Sequence, residues 1–369
     1  MRKYLFTSES VTQGHPDKVC DLISDTILDK ALEQDENSRV AVECLISKNQ
    51  IVISGQITSR AVLDYEKTAR NVIKDIGYDN EKTDINYKTC SVITNITKQS
   101  EDIAIGVKNE GAGDQGIMFG YACNETKEYM PLAIAVAHKL TKEIDNVRKN
   151  KIIPYLRPDG KVQVTVEYED DIPTRIDTIL VSVQHLEEIS IDTIKKDILK
   201  NVINKVVNKK YIDGKTKILI NPTGRFVIGG PLGDTGVTGR KIIPDTYGGY
   251  SRHGGGAFSG KDATKVDRSA TYMLRHIAKN IVANKLAKKC ELQISYAIGM
   301  SKPLSLFINT FNTNILSEKD ILNLIKQKFE LEPQKIIKYL DLKNPIYAQT
   351  TNYGHFGREE FKWEKIIKL

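Results

Sequence analysis

The chain has 369 residues, 40% of them hydrophobic and 27% charged, with a formal net charge of +7. This length supports two or three domains with a sizeable core, and the composition is that of neither a disordered nor a fibrous chain. The positive balance suits small anionic ligands; a dense basic run with aromatics, as nucleic acid would want, and an apolar run of about 20 residues, as a membrane would need, are both missing. Cys20, Cys44, Cys90, Cys123 and Cys290 are scattered, odd in number and without a CxxC pair. They suggest a reducing compartment and argue against structural zinc. MRKYLFTSES lacks the pattern of a signal peptide, so a cytoplasmic location is expected.

In chain order, Pro16 opens a helical pattern with Val19, Leu22, Ile23, Ile27, Ala31 and Leu32 on one face. Residues 39–47 and 51–58 read as two strands around a turn at 48–50. A second helix carries Val62, Leu63, Ala69, Val72, Ile73 and Ile76, with Gly77 as its stop, and 89–96 reads as a strand. The same order returns with a helix from Pro131, strands at 161–168 and 178–184, a helix near 191–208 and a strand at 216–220. A third pass has a helix near 262–287, strands at 290–298 and 304–310, and helices near 317–329 and 333–340. Hairpins followed by helices favour an α+β fold: three similar sheets, each with helices on one face, in pseudo-threefold repetition. The expected units are 1–100, 101–229 and 230–369, with short segments free to exchange between them in space.

Twelve of the 25 glycines fall between Gly224 and Gly260, interleaved with Arg225, Arg240, Lys241, Arg252, Asp234 and Asp245. Glycine gives up the most backbone entropy on folding, so such a stretch is poor scaffold. It suits backbone that wraps closely round a polyanion. Two apparent nucleotide motifs fail on context. GAGDQG at 111–116 matches GxGxxG, but no amphipathic helix follows it. Gly255–Lys261 reads G-x4-G-K, but Asp262 stands where a P-loop needs Ser or Thr. GHPDK at 14–18 sets an imidazole, a carboxylate and an ammonium at a helix N-terminus, where anions are favoured.

GHPDK, GAGDQGIMFGYA, INPTGRFVIGGPLGDTGVTGRKIIPDTYGG, RHGGGAFSGKDATKVDRSA and YGHFGRE together closely resemble the S-adenosylmethionine synthetase family. The motifs span nearly the whole chain in the family's order. The resemblance implies that ATP and L-methionine give S-adenosylmethionine, with tripolyphosphate cleaved to phosphate and pyrophosphate before release. A thioether sulfur needs no general base, and negative charge grows on the departing triphosphate. Preplaced cations and Mg²⁺ would therefore supply most of the rate effect.

Carried over by motif, His15, Lys161, Arg240, Lys241, Lys261 and Lys265 resemble the family's catalytic, polyphosphate-handling residues. Asp17 and Asp267 resemble the carboxylates for two Mg²⁺ per active site, and Glu43 the K⁺-site acid. Asp159, Arg225, Phe226, Asp234 and Ala257 match ATP-contacting positions. Gln56, Gln99, Asp114, Phe226, Asp234 and Lys265 match methionine-contacting ones, with Gln99 opening what resembles a mobile active-site loop. The family's build implies a homodimer, as a dimer of dimers, with active sites at the subunit interface, and neither nucleic acid nor membrane as a partner.

This chain has Gln13 and Gln56 where the family carries glutamate, and the stretch from Gln99 to Gly111 looks shorter than in many relatives. At position 56 an amide offers the methionine ammonium no charge-assisted bond. An alternative is therefore a member compromised in methionine binding that still binds or hydrolyses nucleotide and tripolyphosphate. A non-catalytic nucleotide- or RNA-binding protein is the reading from another class; salt-sensitive nucleic-acid binding would mark it.

Overall fold

The structure, a computed structural model, describes residues 2–98 and 111–369. Gln99 and the loop expected to be mobile lie outside the described residues. Three sheets are each built on a hairpin: β2 (Arg39–Ser47) with β3 (Gln50–Thr58), β6 (Leu156–Glu169) with β7 (Ile172–His185), and β10 (Lys289–Tyr296) with β11 (Ser305–Asn309). A parallel fourth strand extends two of them, β4 (Ser91–Thr97) on β3 and β8 (Lys217–Ile220) on β7.

Three further strands, outside the helix–strand–strand–helix–strand order, tie these sheets into a ring. β1 (Lys3–Val11) pairs antiparallel with β6, β5 (Gly116–Cys123) with β10, and the two-residue β9 (Gly236–Val237) with β2. Each lies early in one repeat and completes the sheet of another. None shows a clean period of two. The inner face of β1 begins with Tyr4 and Phe6 and then turns hydroxylic, with Ser8 donating to Gly248 O at 2.8 Å and Ser10 bonded to His138. β5 is buried on both faces from Met118 onward. At Gly120 an added Cβ would stand 2.3 Å from the Leu274 carbonyl carbon, so only glycine lets helix and strand approach this closely.

Helices α1 (Pro16–Gln34), α3 (Leu132–Lys149) and α5 (Val266–Ala283) cover the inner faces of the sheets, with α2 (Tyr65–Ile76) beside α1. Each sheet and its helix share an apolar core. α4 (Ile191–Ile198) is shorter than its apolar pattern suggests. It passes into a π-turn at Leu199–Ile203 and ends at Val206. α5 starts four residues later than its pattern, because the Asp262 carboxylate accepts from Val40 N and Thr264 N and holds 262–264 outside the helix. α6 (Glu318–Lys328) and α7 (Pro333–Tyr339) follow the third hairpin.

The C-terminal segment has little regular structure and is held by polar side chains of α5. Asn280 donates to Lys365 O at 3.1 Å and Asn284 to Ile367 O at 2.8 Å, while Trp363 stacks on Tyr272 at 4.0 Å. His276, between Trp363 O and the Tyr339 hydroxyl, is pushed down to about 4 by burial, partly offset by the Trp363 carbonyl. A depressed imidazole contributes stability above the unfolded value of about 6.5, and loses it as pH falls toward 4. His276→Gln is therefore expected to flatten the fall in stability between pH 6.5 and 5 by up to one proton, about 1.4 kcal/mol per pH unit. Urea titrations of parent and variant at several pH values measure it. Comparing the two cancels Asp29 and Asp245, which burial pushes up to about 7 and which act with the opposite sign.

Candidate active site

β1 ends at Val11, opposite Lys161 on β6, and the chain needs only Thr12–His15 to reach the start of α1. His15 caps that helix, its Nδ1 accepting from Asp17 N at 3.2 Å. Burial, then the charges of Lys241 and Lys161, hold the imidazole down at about 3, so it is neutral at physiological pH. Asp17 is buried, which works against its charge. The hydrogen bond from Lys241 and the N–H of Val237, 2.9 Å away, outweigh this and hold the carboxyl below its ordinary value. Arg240 adds a second cation 3.8 Å from Asp17 and is otherwise exposed. Asp159 receives the Gly230 N–H at 2.8 Å, and burial raises it to about 6, opposed by that bond and by Lys161. His15, Asp17, Asp159, Lys161, Arg240 and Lys241 thus form one group around the N-terminus of α1. Asp234 joins its rim, exposed just after the single helical turn Gly230–Gly233.

A second group sits at the start of α5. Lys261 lies 2.8 Å from Asp267, both partly exposed, and Lys265 bonds the buried Asp262. Asp114 is exposed two residues before Gly116, where a Cβ would lie 3.5 Å from Asp267 Oδ1. Beside Lys261 opens a pocket of about 280 Å³ lined by Glu43, Gln56, Thr238, Ala257, Gly260 and Lys261. Its Gly-rich wall runs along β2, with Val42 N donating to Gly260 O at 3.0 Å. Gly260 has φ +79°, and an added Cβ would stand 1.9 Å from Val42 O. Arg225 is not gathered in, since it pairs with Glu187 at the surface at 2.5 Å. Phe226 is half-buried, its N–H donating to His185 Nε2 at 3.1 Å.

The motif reading missed a row of aspartates along α1. Asp17, Asp21 and Asp25 each accept a backbone N–H of the Gly-rich segment, from Val237, Gly239 and Gly260 at 2.9, 2.8 and 2.8 Å. Asp29 takes Tyr347 N and Ala348 N at 2.8 and 2.7 Å. The signal was in the sequence: aspartates four apart lie on one helix face, and here that face is buried. Lys18, buried between Asp21 and Asp245, supplies countercharge.

Comparison with known proteins decides what this arrangement belongs to. Residues 3–101, 109–226 and 228–365 match the family models described as the N-terminal, central and C-terminal domains of S-adenosylmethionine synthetase. The chain belongs to the S-adenosylmethionine synthetase family. Among its relatives, the S-adenosylmethionine synthase of Clostridium tetani (strain Massachusetts / E88) is 55% identical over all of this chain and 98% of its own length. That of Sorangium cellulosum (strain So ce56) is 54% identical over 99% of this chain and 88% of its own. The S-adenosylmethionine synthetase C-terminal domain thus holds Arg240, Lys241, Ala257, Lys261, Lys265 and Asp267, whereas His15, Asp17, Glu43 and Gln56 lie in the N-terminal one.

The donor set suits a metal bound mainly by substrate. Among the described residues no three carboxylate, histidine or thiol groups converge on one point. Mg²⁺ keeps waters and bridges phosphates from one or two carboxylates, and Asp17 and Asp267 each offer one beside a lysine. Gln13 plays a different part. Its N–H goes to Asp145 Oδ2 at 2.9 Å and its Oε1 accepts from Lys149, so both its backbone and its side chain engage α3.

Proposed function

We propose that this methionine adenosyltransferase binds the triphosphate of ATP between the His15–Lys241 group and the Lys261–Asp267 group. The methionine sulfur attacks C5′ in line, and the bound tripolyphosphate is then cleaved to phosphate and pyrophosphate. The observation that carries the reading is the meeting of Lys161, Arg240 and Lys241 with a neutral imidazole and an ionised Asp17 at a helix N-terminus. Cations aimed at charge that develops on the leaving group stabilise the transition state without a general base. A neutral His15 can accept or donate a hydrogen bond to phosphate without competing for a countercharge.

In this reading Asp17 and Asp267 hold two Mg²⁺, which neutralise phosphate charge, and Glu43 holds K⁺. Asp159, Phe226, Asp234 and Ala257 receive the nucleotide, and Arg225 could join them only by leaving Glu187; Gln56, Gln99, Asp114 and Lys265 receive methionine. The repeats 1–100, 101–229 and 230–369 serve as the domains. The active unit is a homodimer. Supporting this, exposed apolar side chains stud all three sheets: Leu45 and Ile93 on the first, Leu5 and Leu219 on the second, Ile117 and Phe307 on the third. Glu43 shares its strand face with Leu45, which places pocket residues beside that apolar surface.

The test is an assay with ATP, Mg²⁺ and K⁺, with and without L-methionine, following phosphate and a sulfonium product by mass. Methionine-dependent product supports the reading; its absence, with tripolyphosphate hydrolysis intact, supports the compromised alternative. Gln56 lines the pocket on β3 opposite Ala41. A carboxylate there would add a charge-assisted bond to the methionine ammonium, worth about 1 kcal/mol beyond a neutral one. Gln56→Glu is accordingly expected to lower KM for methionine roughly 5-fold. An unchanged KM and kcat would remove position 56 from methionine recognition.

A further inference from the structure

Beyond the residues that would touch substrate, one buried cation ties down the segment that carries Arg240 and Lys241. Lys18, in the first turn of α1, is 2% exposed. Its ammonium donates to Asp21 Oδ2 at 3.0 Å and to Asp245 Oδ1. The other oxygen of Asp21 accepts the Gly239 N–H at 2.8 Å. Asp245 closes the single helical turn Ile242–Asp245, and its own N–H donates to Lys241 O at 2.9 Å. One lysine thus holds a carboxylate on each side of the two site cations. Asp21 acts through Gly239 before them, and Asp245 follows them.

This segment has little with which to fix its own path. Gly236 and Gly239 offer no side chains to pack. At Gly236 an added Cβ would stand 2.2 Å from the Pro16 carbonyl carbon, so the backbone runs close against the start of α1. Gly239, at φ +81°, lies in the left-handed region just before Arg240. Arg240 is 56% exposed at its side chain, so its reach is set by its backbone. Apolar residues of the same volume would cost less to bury than Lys18, Asp21 and Asp245. They could not, however, hold the Gly239 N–H.

We propose that Lys18, Asp21 and Asp245 are positioning residues for adenosyl transfer, setting where Arg240 and Lys241 stand relative to His15 and Asp17. This rests on the proposed role of those two cations at the departing triphosphate. All three positioning residues are buried, and none is placed to touch substrate. Their effect passes through the backbone of 239–245, and a displacement of about 1 Å at a reacting group costs about 10²-fold in rate.

The test compares two double variants of equal charge, Lys18→Met/Asp21→Asn and Lys18→Met/Asp21→Leu. Each removes one buried cation and one buried anion. Asp245, which burial pushes up to about 7 even with Lys18 beside it, is protonated in both. The asparagine variant keeps a carbonyl oxygen for the Gly239 N–H, and the leucine variant has none. The leucine variant is expected to melt lower, so both are assayed well below either Tm, where circular dichroism shows them equally folded. There its kcat is expected to lie about 10²-fold below that of the asparagine variant. KM for methionine should stay within a few-fold of the parent in both, because Arg240 and Lys241 serve the leaving group and not the sulfur. Asp245→Leu is the second probe. It leaves a one-to-one Lys18–Asp21 pair, strands no charge, and is expected to lower kcat by about 10-fold. Equal kcat in the two double variants, or a loss carried by KM for methionine instead, would overturn the proposal. If either double variant does not fold, parental kcat in Asp245→Leu would do so. The parent's own turnover tests the functional reading separately. Were it to make no sulfonium product, hydrolysis of added tripolyphosphate would report positioning in the same variants.

Discussion

Replacing Lys261 by methionine is expected to lower kcat by about 10²- to 10³-fold, the usual effect of removing one group that stabilises transition-state charge. Thermal stability should hardly move. Lys261 and Asp267 are 28% and 22% exposed at the side chain, and an ion pair of that kind contributes about 0–1 kcal/mol. The Tm should therefore fall by less than about 4 °C. Lys265 is a less clean target, because its partner Asp262 is buried and also anchors Val40 N. Lys265→Met would lower stability and turnover together. Parallel measurement of kcat and Tm for both variants checks this. A Lys261→Met enzyme with near-parental turnover would take that lysine out of the chemistry.

The largest stability effect is expected far from the site, at Glu364. Its buried carboxylate meets Arg275 at 2.9 and 3.0 Å and Lys279 at 2.9 Å, and it also accepts the Gly357 N–H. Arg275 in turn ties Tyr121 O, Glu128 O and Tyr129 O to α5. Glu364→Ala leaves two cations buried without a countercharge, and losing one partner of a buried pair costs about 3–5 kcal/mol. Chemical denaturation should show that loss. The surviving folded fraction should keep a near-parental KM for ATP, since the side-chain partners of Glu364 are Arg275 and Lys279, outside both candidate site groups. A loss under 1 kcal/mol would mean that the C-terminal segment is held by its apolar contacts, Trp363 and Phe361, alone.

Much of this was legible in the sequence, for different reasons at different places. The three hairpins showed because β-branched runs alternate around polar turns, as in 39–47 and 51–58. GHPDK and the Gly-rich stretch showed because glycine, cations and acids mixed this densely are unusual enough to mark themselves. β1, β5 and β9 did not show, since β1 turns hydroxylic on its inner face after Phe6, β5 is buried on both sides and β9 is only two residues long. The aspartate row of α1 was visible as a spacing of four. Nothing local, however, distinguished it from a solvated acidic face, the ordinary place for aspartate.

By itself the sequence determined the repeat order, the family, and the chemical types that meet at the site, because these depend on local periodicity and on the identities of a few residues. Only the tertiary structure decided which strand completes which sheet, that the Asp17–Asp25 face is buried, and that Arg268 pairs with Asp25 while Lys261 remains half-open. Those outcomes turn on partners 200 or so residues apart. A buried charge is tolerated only where its countercharge and hydrogen bonds arrive together, and only the closed fold brings them there.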